Sequence, residues 1–298
     1  VQNAADRKWR CIAIRIGIIG AGKVGTTMGK YLTEHGGNVS GFYNRTVSGA
    51  KEAAEFCNTT YFQDLDSLIE VSDTLFLTVS DGAIEELWDC IAAKNVKGKV
   101  VCHFSGSLSS DIFSNTERTG ALVCSIHPIY AFSNKFTAYQ NLTKALFTVE
   151  GNPKALEKMQ EVFAILPNKV VSIPTQAKTK YHAAASIASN HLVGLLAMAV
   201  ELLEETGITT ETAYEMLEPL VKNNIESVFS NGCMEALTGP IERNDIQTVE
   251  HHLENLGGEE RKACYLAVGN MVTKLAEKKH PKRDYGEMRR VLKQKESE

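Results

Sequence analysis

The chain predicts a doubly wound, mostly parallel α/β sheet followed by an all-α second domain. Three observations carry that expectation: β-branched runs alternate with helical segments up to Pro174, a glycine-rich turn follows the first run, and strand-like runs vanish beyond residue 174. Alternating strands and helices imply a sheet covered on both faces. Two domains are expected, 11–174 and 175–298.

Taken in order, residues 12–19 read as the first strand and 20–25 as the turn. Residues 26–34 read as a helix closed by His35-Gly36-Gly37, and 39–43 as the second strand. Further strands are expected at 74–79, 99–104, 121–126, 145–149 and 170–173, separated in several places by helices at 49–56, 84–93 and 154–163. The second half reads as helices at 175–206, 210–231, 245–256 and 259–278. No internal repeat or long linker interrupts this order.

Composition narrows the class. Of 298 residues, 43% are hydrophobic and 23% charged, enough apolar side chains for a sizeable core. A net charge of -4 gives no global attraction to nucleic acid or to an anionic membrane. The basic tail 278–298 reads as a solvated helix or frayed end, because acids are interspersed among its Lys and Arg residues. Cys11, Cys57, Cys90, Cys102, Cys124, Cys233 and Cys264 lack metal-ligand spacing and read as small buried hydrophobes in a reducing, cytoplasmic setting. No apolar run approaches the ~20 residues that span a bilayer, and residues 1–10 lack the apolar core of a signal peptide. The opening at Val1 rather than Met reads as a start trimmed from a longer chain.

The stretch 14–32, IRIGIIGAGKVGTTMGKYL, places G-x-G-x-x-G between a strand and a helix, the context in which that pattern holds a dinucleotide. Gly20 permits the tight turn, Gly22 lets the backbone approach a pyrophosphate, and Gly25 permits close helix packing, with Ala21, Lys23 and Val24 completing the cradle. The end of the second strand selects the cofactor. Where an NAD enzyme carries Asp or Glu for the ribose hydroxyls, this chain has Asn44-Arg45-Thr46, and a guanidinium suits the 2′-phosphate of NADP. Ser80 and Asp81, after strand 74–79, and Ser105 and Gly106, after strand 99–104, should line the same crevice.

Hydride chemistry also needs a group that moves a proton. His182, Ser186 and Asn190 recur every four residues and share an arc of about 80° on a regular helix. Lys178, one turn earlier, reads as a solvated surface residue. His127 ends a strand before Pro128 and is the rival proton carrier, whereas His103 reads as structural. In ALTGPIERND, Arg243 could clamp an anionic substrate, or the segment could simply cap the next helix through Asp245. No metal site is expected. The almost wholly apolar segment 192–203 must be buried by several neighbours, which favours a homodimer built by the helical half.

The glycine turn, NRT, HFSGSLSSDIF, SIHPIYAF, YHAAASIASNHL and ALTGPIERND together resemble a family of Rossmann-like NADP oxidoreductases with a C-terminal helical domain of unknown function. That family is similar to pyrroline-5-carboxylate reductase, ketopantoate reductase and the 6-phosphogluconate dehydrogenase group. The resemblance implies a helical C-terminal domain that commonly builds a dimer, with the active site between domains. Ketopantoate reductases carry Lys-x-x-x-Asn-x-x-x-Asn there; matched by its final asparagine, this chain has His182, Ser186 and Asn190 instead, and the resemblance then leaves His182 as the substitute proton donor. The expected function is an NADP-dependent oxidoreductase of a small, anionic carbonyl, imine or hydroxy compound. The alternative is an NADP-binding sensor without turnover.

Overall fold

A computed structural model describes residues 14–293; Cys11, the opening residues of the 12–19 strand and residues 294–298 lie outside it. The described residues form two compact units that divide between Ala188 and Ser189.

The first unit runs β1 (Arg15–Ile19), α1 (Lys23–Glu34), β2 (Asn38–Tyr43), α2 (Val47–Cys57), α3 (Leu65–Val71), β3 (Thr74–Leu77), α4 (Ile84–Ala92), β4 (Val100–His103), α5 (Thr116–Thr119), β5 (Leu122–Pro128), β6 (Phe147–Gly151), α6 (Pro153–Phe163), β7 (Val170–Ser172) and α7 (Lys178–Ser186). Every strand read from the sequence is present. They form one seven-stranded sheet in the order β2-β1-β3-β4-β5-β6-β7, parallel throughout except where β5 meets β6. Strand order reverses between β1 and β3, so the ligand crevice of such a sheet opens beyond the carboxyl ends of those strands.

Burial explains the elements. On one face Ile16, Ile18, Phe42, Phe76 and Phe147 pack with Met28, Leu32, Ala50, Ala54 and Met159 of α1, α2 and α6. On the other, Ile19, Leu75, Leu77 and Val101 pack with Leu68, Ile84 and Trp88 of α3 and α4. Full burial of such side chains contributes on the order of 1.5–3 kcal/mol each. Asn152 accepts from Lys154 N (2.9 Å) and Pro153 opens α6, a start signal legible in the sequence.

The second unit holds α8 (Leu192–Glu205), α9 (Thr210–Asn231), α10 (Cys233–Ala236), α11 (Pro240–Arg243), α12 (Ile246–Asn255), α13 (Glu259–Lys279) and α14 (Gly286–Leu292). Ile241, Val249, Leu266, Ala276, Tyr285, Met288 and Leu292 make its core. The tail is therefore not a frayed end up to residue 293: α14 presents Met288 and Leu292 inward, and the Arg289 guanidinium pairs with Glu277. Cys57, Cys102 and Cys124 are buried, but Cys90 and Cys233 are exposed and Cys264 half-buried, because the first two lie on outward positions of short helices.

A further expectation fails in the segment Thr175–Glu205. It forms one 31-residue helical run whose best window reaches a mean hydropathy of 1.6 and is only 6% buried, long and apolar enough to cross a membrane by length and composition. Counting uninterrupted apolar residues missed it, since Ser, His and Asn break the run without lowering the average far. Its opening turns are not lipid-facing, because the Lys178 side chain is buried against the sheet.

Candidate active site

At the switch point the glycine pattern is enforced by close contact. Gly20 N donates to the Tyr43 carbonyl (2.9 Å), with Gly20 at φ +110°, and a Cβ there would lie 2.8 Å from the Thr78 carbonyl oxygen. A Cβ at Gly25 would lie 2.1 Å from the Gly20 carbonyl oxygen, whereas one at Gly22 would meet nothing within 4 Å. Gly22 thus faces open space at the start of α1. That helix has no capping side chain and no acidic residue in its first turn, so its positive end is unopposed. Ala21 and Gly25 are buried, Val24 is half-buried, and Lys23 is exposed.

Asn44 ties the end of β2 to this turn: its Oδ1 accepts from Ala21 N (3.3 Å) and its Nδ2 donates to Thr46 Oγ1 (3.0 Å). Arg45, between them, is exposed beside the cradle. The Thr78 hydroxyl donates to the Gly20 carbonyl (2.9 Å), locking β3 to the turn.

The next two strand ends are joined by a carboxylate. Asp81 Oδ2 accepts from Ser105 Oγ (2.8 Å) and Ser107 Oγ (2.8 Å), while Ser105 Oγ accepts from Leu108 N (3.0 Å). Asp81 and Ser105 therefore shape the loop that carries Gly106, and Ser80 precedes this network on the exposed side.

Gly106 is where the chemistry converges. A Cβ there would come within 2.5 Å of His182 Cδ2 and 2.9 Å of His127 Nε2. The two imidazoles stand edge to face, with centroids 6.2 Å apart. His127 Nδ1 lies 2.8 Å from the Tyr181 hydroxyl. Burial raises the Tyr181 pKa, so the phenol keeps its proton; donated to Nδ1, that proton would leave His127 Nε2 as an N–H toward Gly106. Burial first, then the charges of Lys178 and His182, push His127 down to about 4, so it is neutral near pH 7. His103, fully buried, spends Nε2 on the Ser109 carbonyl (3.2 Å) and Nδ1 on Ser105 N (3.2 Å), the structural role expected of it.

The helical stripe needs correction. α7 begins at Lys178, after a 3-10 turn at Thr175–Ala177, and a π-helical turn at Ile187–His191 follows it. The wider turn shifts the phase beyond Ser186, so the regular arc does not extend to Asn190. Ser186 is half-buried; Asn190, in the second unit, is exposed and its Oδ1 accepts from Ser189 Oγ (2.8 Å). Lys178 is not a solvated surface residue: it is 1% exposed and its Nζ lies 2.5 Å from Ser125 Oγ. Arg243 is exposed at the end of α11 in the second unit, while Asp245 caps α12 by accepting from Thr248 N (3.1 Å).

Tyr181, Ser125 and Glu150 went unnoticed in the sequence. Their signals were a tyrosine adjoining the candidate histidine, a serine two residues before His127 in one strand, and a lone acid inside the apolar run FTVEG.

Comparison with known proteins agrees with this architecture. Residues 2–128 match the model of a Rossmann-like domain, and residues 145–272 that of a domain of unknown function, DUF2520. No functionally curated protein matches the chain. Among solved structures, protein TM1727 of Thermotoga maritima is similar at 23% identity and TM-score 0.69, covering 88% of this chain and 98% of its own. A candidate NADP oxidoreductase of Bacteroides fragilis, BF3122, is similar at 22% identity and TM-score 0.64, over 90% and 98%. The reductive aminase of Aspergillus terreus, solved with NADPH and ethyl-5-oxohexanoate, is similar at 15% identity and TM-score 0.66, over 92% and 97%. The chain thus matches a Rossmann-like domain model in its N-terminal half and the DUF2520 model in its C-terminal half.

Proposed function

We propose that the protein is an NADP-dependent oxidoreductase of a small, anionic carbonyl, imine or hydroxy compound. The observation that carries this reading is the convergence of His127 and His182 on Gly106, in the same row of strand ends as the glycine turn. A nicotinamide dinucleotide fits the cradle: Gly22 leaves open space for it, and the start of α1 offers unopposed backbone N–H groups to its pyrophosphate. Asn44, Arg45 and Thr46 would meet the adenosine ribose, with the Arg45 guanidinium on the 2′-phosphate. Ser80, Asp81, Ser105 and Gly106 would flank the nicotinamide half. When bound, the cofactor supplies or accepts a hydride. His182 gives or takes the accompanying proton, and Ser186, one turn further along α7, orients the substrate. The structural likeness to a reductive aminase keeps imines among the candidate substrates.

NADPH is expected to bind more tightly than NADH. A charge-assisted hydrogen bond contributes about 1.5–3 kcal/mol, so Arg45→Ala should cut the preference roughly ten-fold or more. Parallel calorimetric titrations check this, and equal affinities in the unmodified protein would refute the assignment.

The reading includes a cytoplasmic homodimer. Phe229 is 86% exposed, Val193 67% and Met271 65%, apolar surface in the helical half that a second copy would cover. Sedimentation equilibrium should give twice the chain mass; a concentration-independent monomer would contradict it.

A further inference from the structure

Lys178 has no part in the reaction just described, yet it is 1% exposed, and burying an ammonium is costly unless something is gained. Its surroundings follow from the register of the sheet. In parallel pairing His103 stands opposite Ser125, and in antiparallel pairing Glu150 stands opposite Ser125 and Thr148 opposite His127. Residues two apart in a strand share a face, so Ser125 and His127 point the same way, and their cross-strand partners point with them. The opening turn of α7 meets this face through Lys178, whose amine lies 2.5 Å from Ser125 Oγ, and through Tyr181, whose hydroxyl lies 2.8 Å from His127 Nδ1. Glu150 balances the ammonium by field and not by contact, because its two oxygens accept from Ser110 N (2.8 Å) and Ser110 Oγ (2.8 Å).

We propose that Lys178 is a positioning residue that acts through its charge: seated behind His127 on Ser125, its ammonium adds to burial in opposing protonation of His127, and so favours His182 as the imidazole at Gly106 that holds the mobile proton. A positive charge one strand step from His127 opposes a second proton there. His182 then remains as the group that exchanges protons with the substrate. The other ionisable groups facing His127 are His182 from α7, which also opposes its protonation, and Asp81 from the loop after β3, which favours it. Lys178 itself feels burial, which lowers its pKa to about 8, against Glu150 and Asp81, which raise it. The sign follows: Lys178 is charged below about pH 8, so its ammonium is present throughout the range near pH 4 where His127 titrates and holds that titration down, and above about pH 8 the charge is lost while His127 is already neutral. The inference rests on the reading of His182 as the proton carrier.

The test is an NMR titration of the histidine side chains in the full chain, which needs no substrate. In the native protein, His127 signals should shift a second time near pH 8, as Lys178 loses its proton. In Lys178→Met that step should vanish, and His127's own protonation should move up by about one pH unit. In Lys178→Arg the step should vanish too, but His127 should stay where it is in the native protein, because the charge persists. Absence of the step in the native protein overturns the proposal, as does a His127 titration that is the same in the Met variant as in the Arg variant. Should Lys178→Met fail to fold, the native and Arg titrations still decide. Because protonation is read without turnover, failure here leaves the proposed reaction standing, and an inactive enzyme with the expected titration overturns only the reaction.

Discussion

His182→Ala should lower kcat by about 10²-fold or more while leaving NADPH affinity nearly unchanged. The rate falls because the half-buried imidazole stands at Gly106, where it can give or take the proton that accompanies the hydride. The affinity holds because His182 belongs to α7 and not to the glycine turn or to Asn44-Arg45-Thr46, which would carry the pyrophosphate and the adenosine ribose. His127→Ala is the control, since His127 is the other imidazole at the same glycine. Steady-state kinetics with any accepted substrate distinguishes the two. Normal turnover in His182→Ala together with loss in His127→Ala would move the reaction to the strand-end histidine.

The second large effect separates a glycine that serves a ligand from one that serves the fold. Gly22→Ala should leave the melting temperature within about a degree or two of the parent, since its backbone at φ -79° suits alanine and the new Cβ would meet no atom within 4 Å. Dinucleotide affinity should nevertheless fall by roughly ten-fold or more, because the methyl would occupy the space left for the pyrophosphate. Gly25→Ala behaves differently. Its Cβ would lie 2.1 Å from the Gly20 carbonyl oxygen, a backbone atom that cannot move without opening the turn, so affinity and stability should both drop, the latter by about 1–3 kcal/mol. Thermal melts paired with NADPH titrations check both variants. Unchanged binding in Gly22→Ala would mean that the open space is not the pyrophosphate site.

The sheet was legible because its strands are continuous β-branched runs, as in β1 (RIGII) and β4 (VVCH), with glycine or proline punctuation between them. α3 was not, since seven residues are too few to show a 3.6-residue period; only the Asp64 cap, accepting from Ser67 N (2.8 Å), marks its start. The glycine turn and the loop carrying Gly106 could be placed because their position at strand ends is a matter of chain order. The meeting of His127 and His182 could not, since it depends on tertiary packing between residues 55 apart in sequence. Lys178 was misread for a related reason. Its spacing puts it on the face of His182, but a lysine in the first turn of a helix is most often solvated, and only the packing of that turn against the sheet sets its amine on Ser125. The π turn at Ile187–His191 likewise leaves no mark in a four-residue spacing.

A crystal structure of the full chain with NADP bound tests the central claim most directly. The nicotinamide ring should lie against Gly106 with the His182 and His127 imidazoles beside it, and the pyrophosphate should rest on Gly22 at the start of α1. A dinucleotide seated elsewhere, or one whose nicotinamide points away from both histidines, would contradict the assignment of this crevice as the active site.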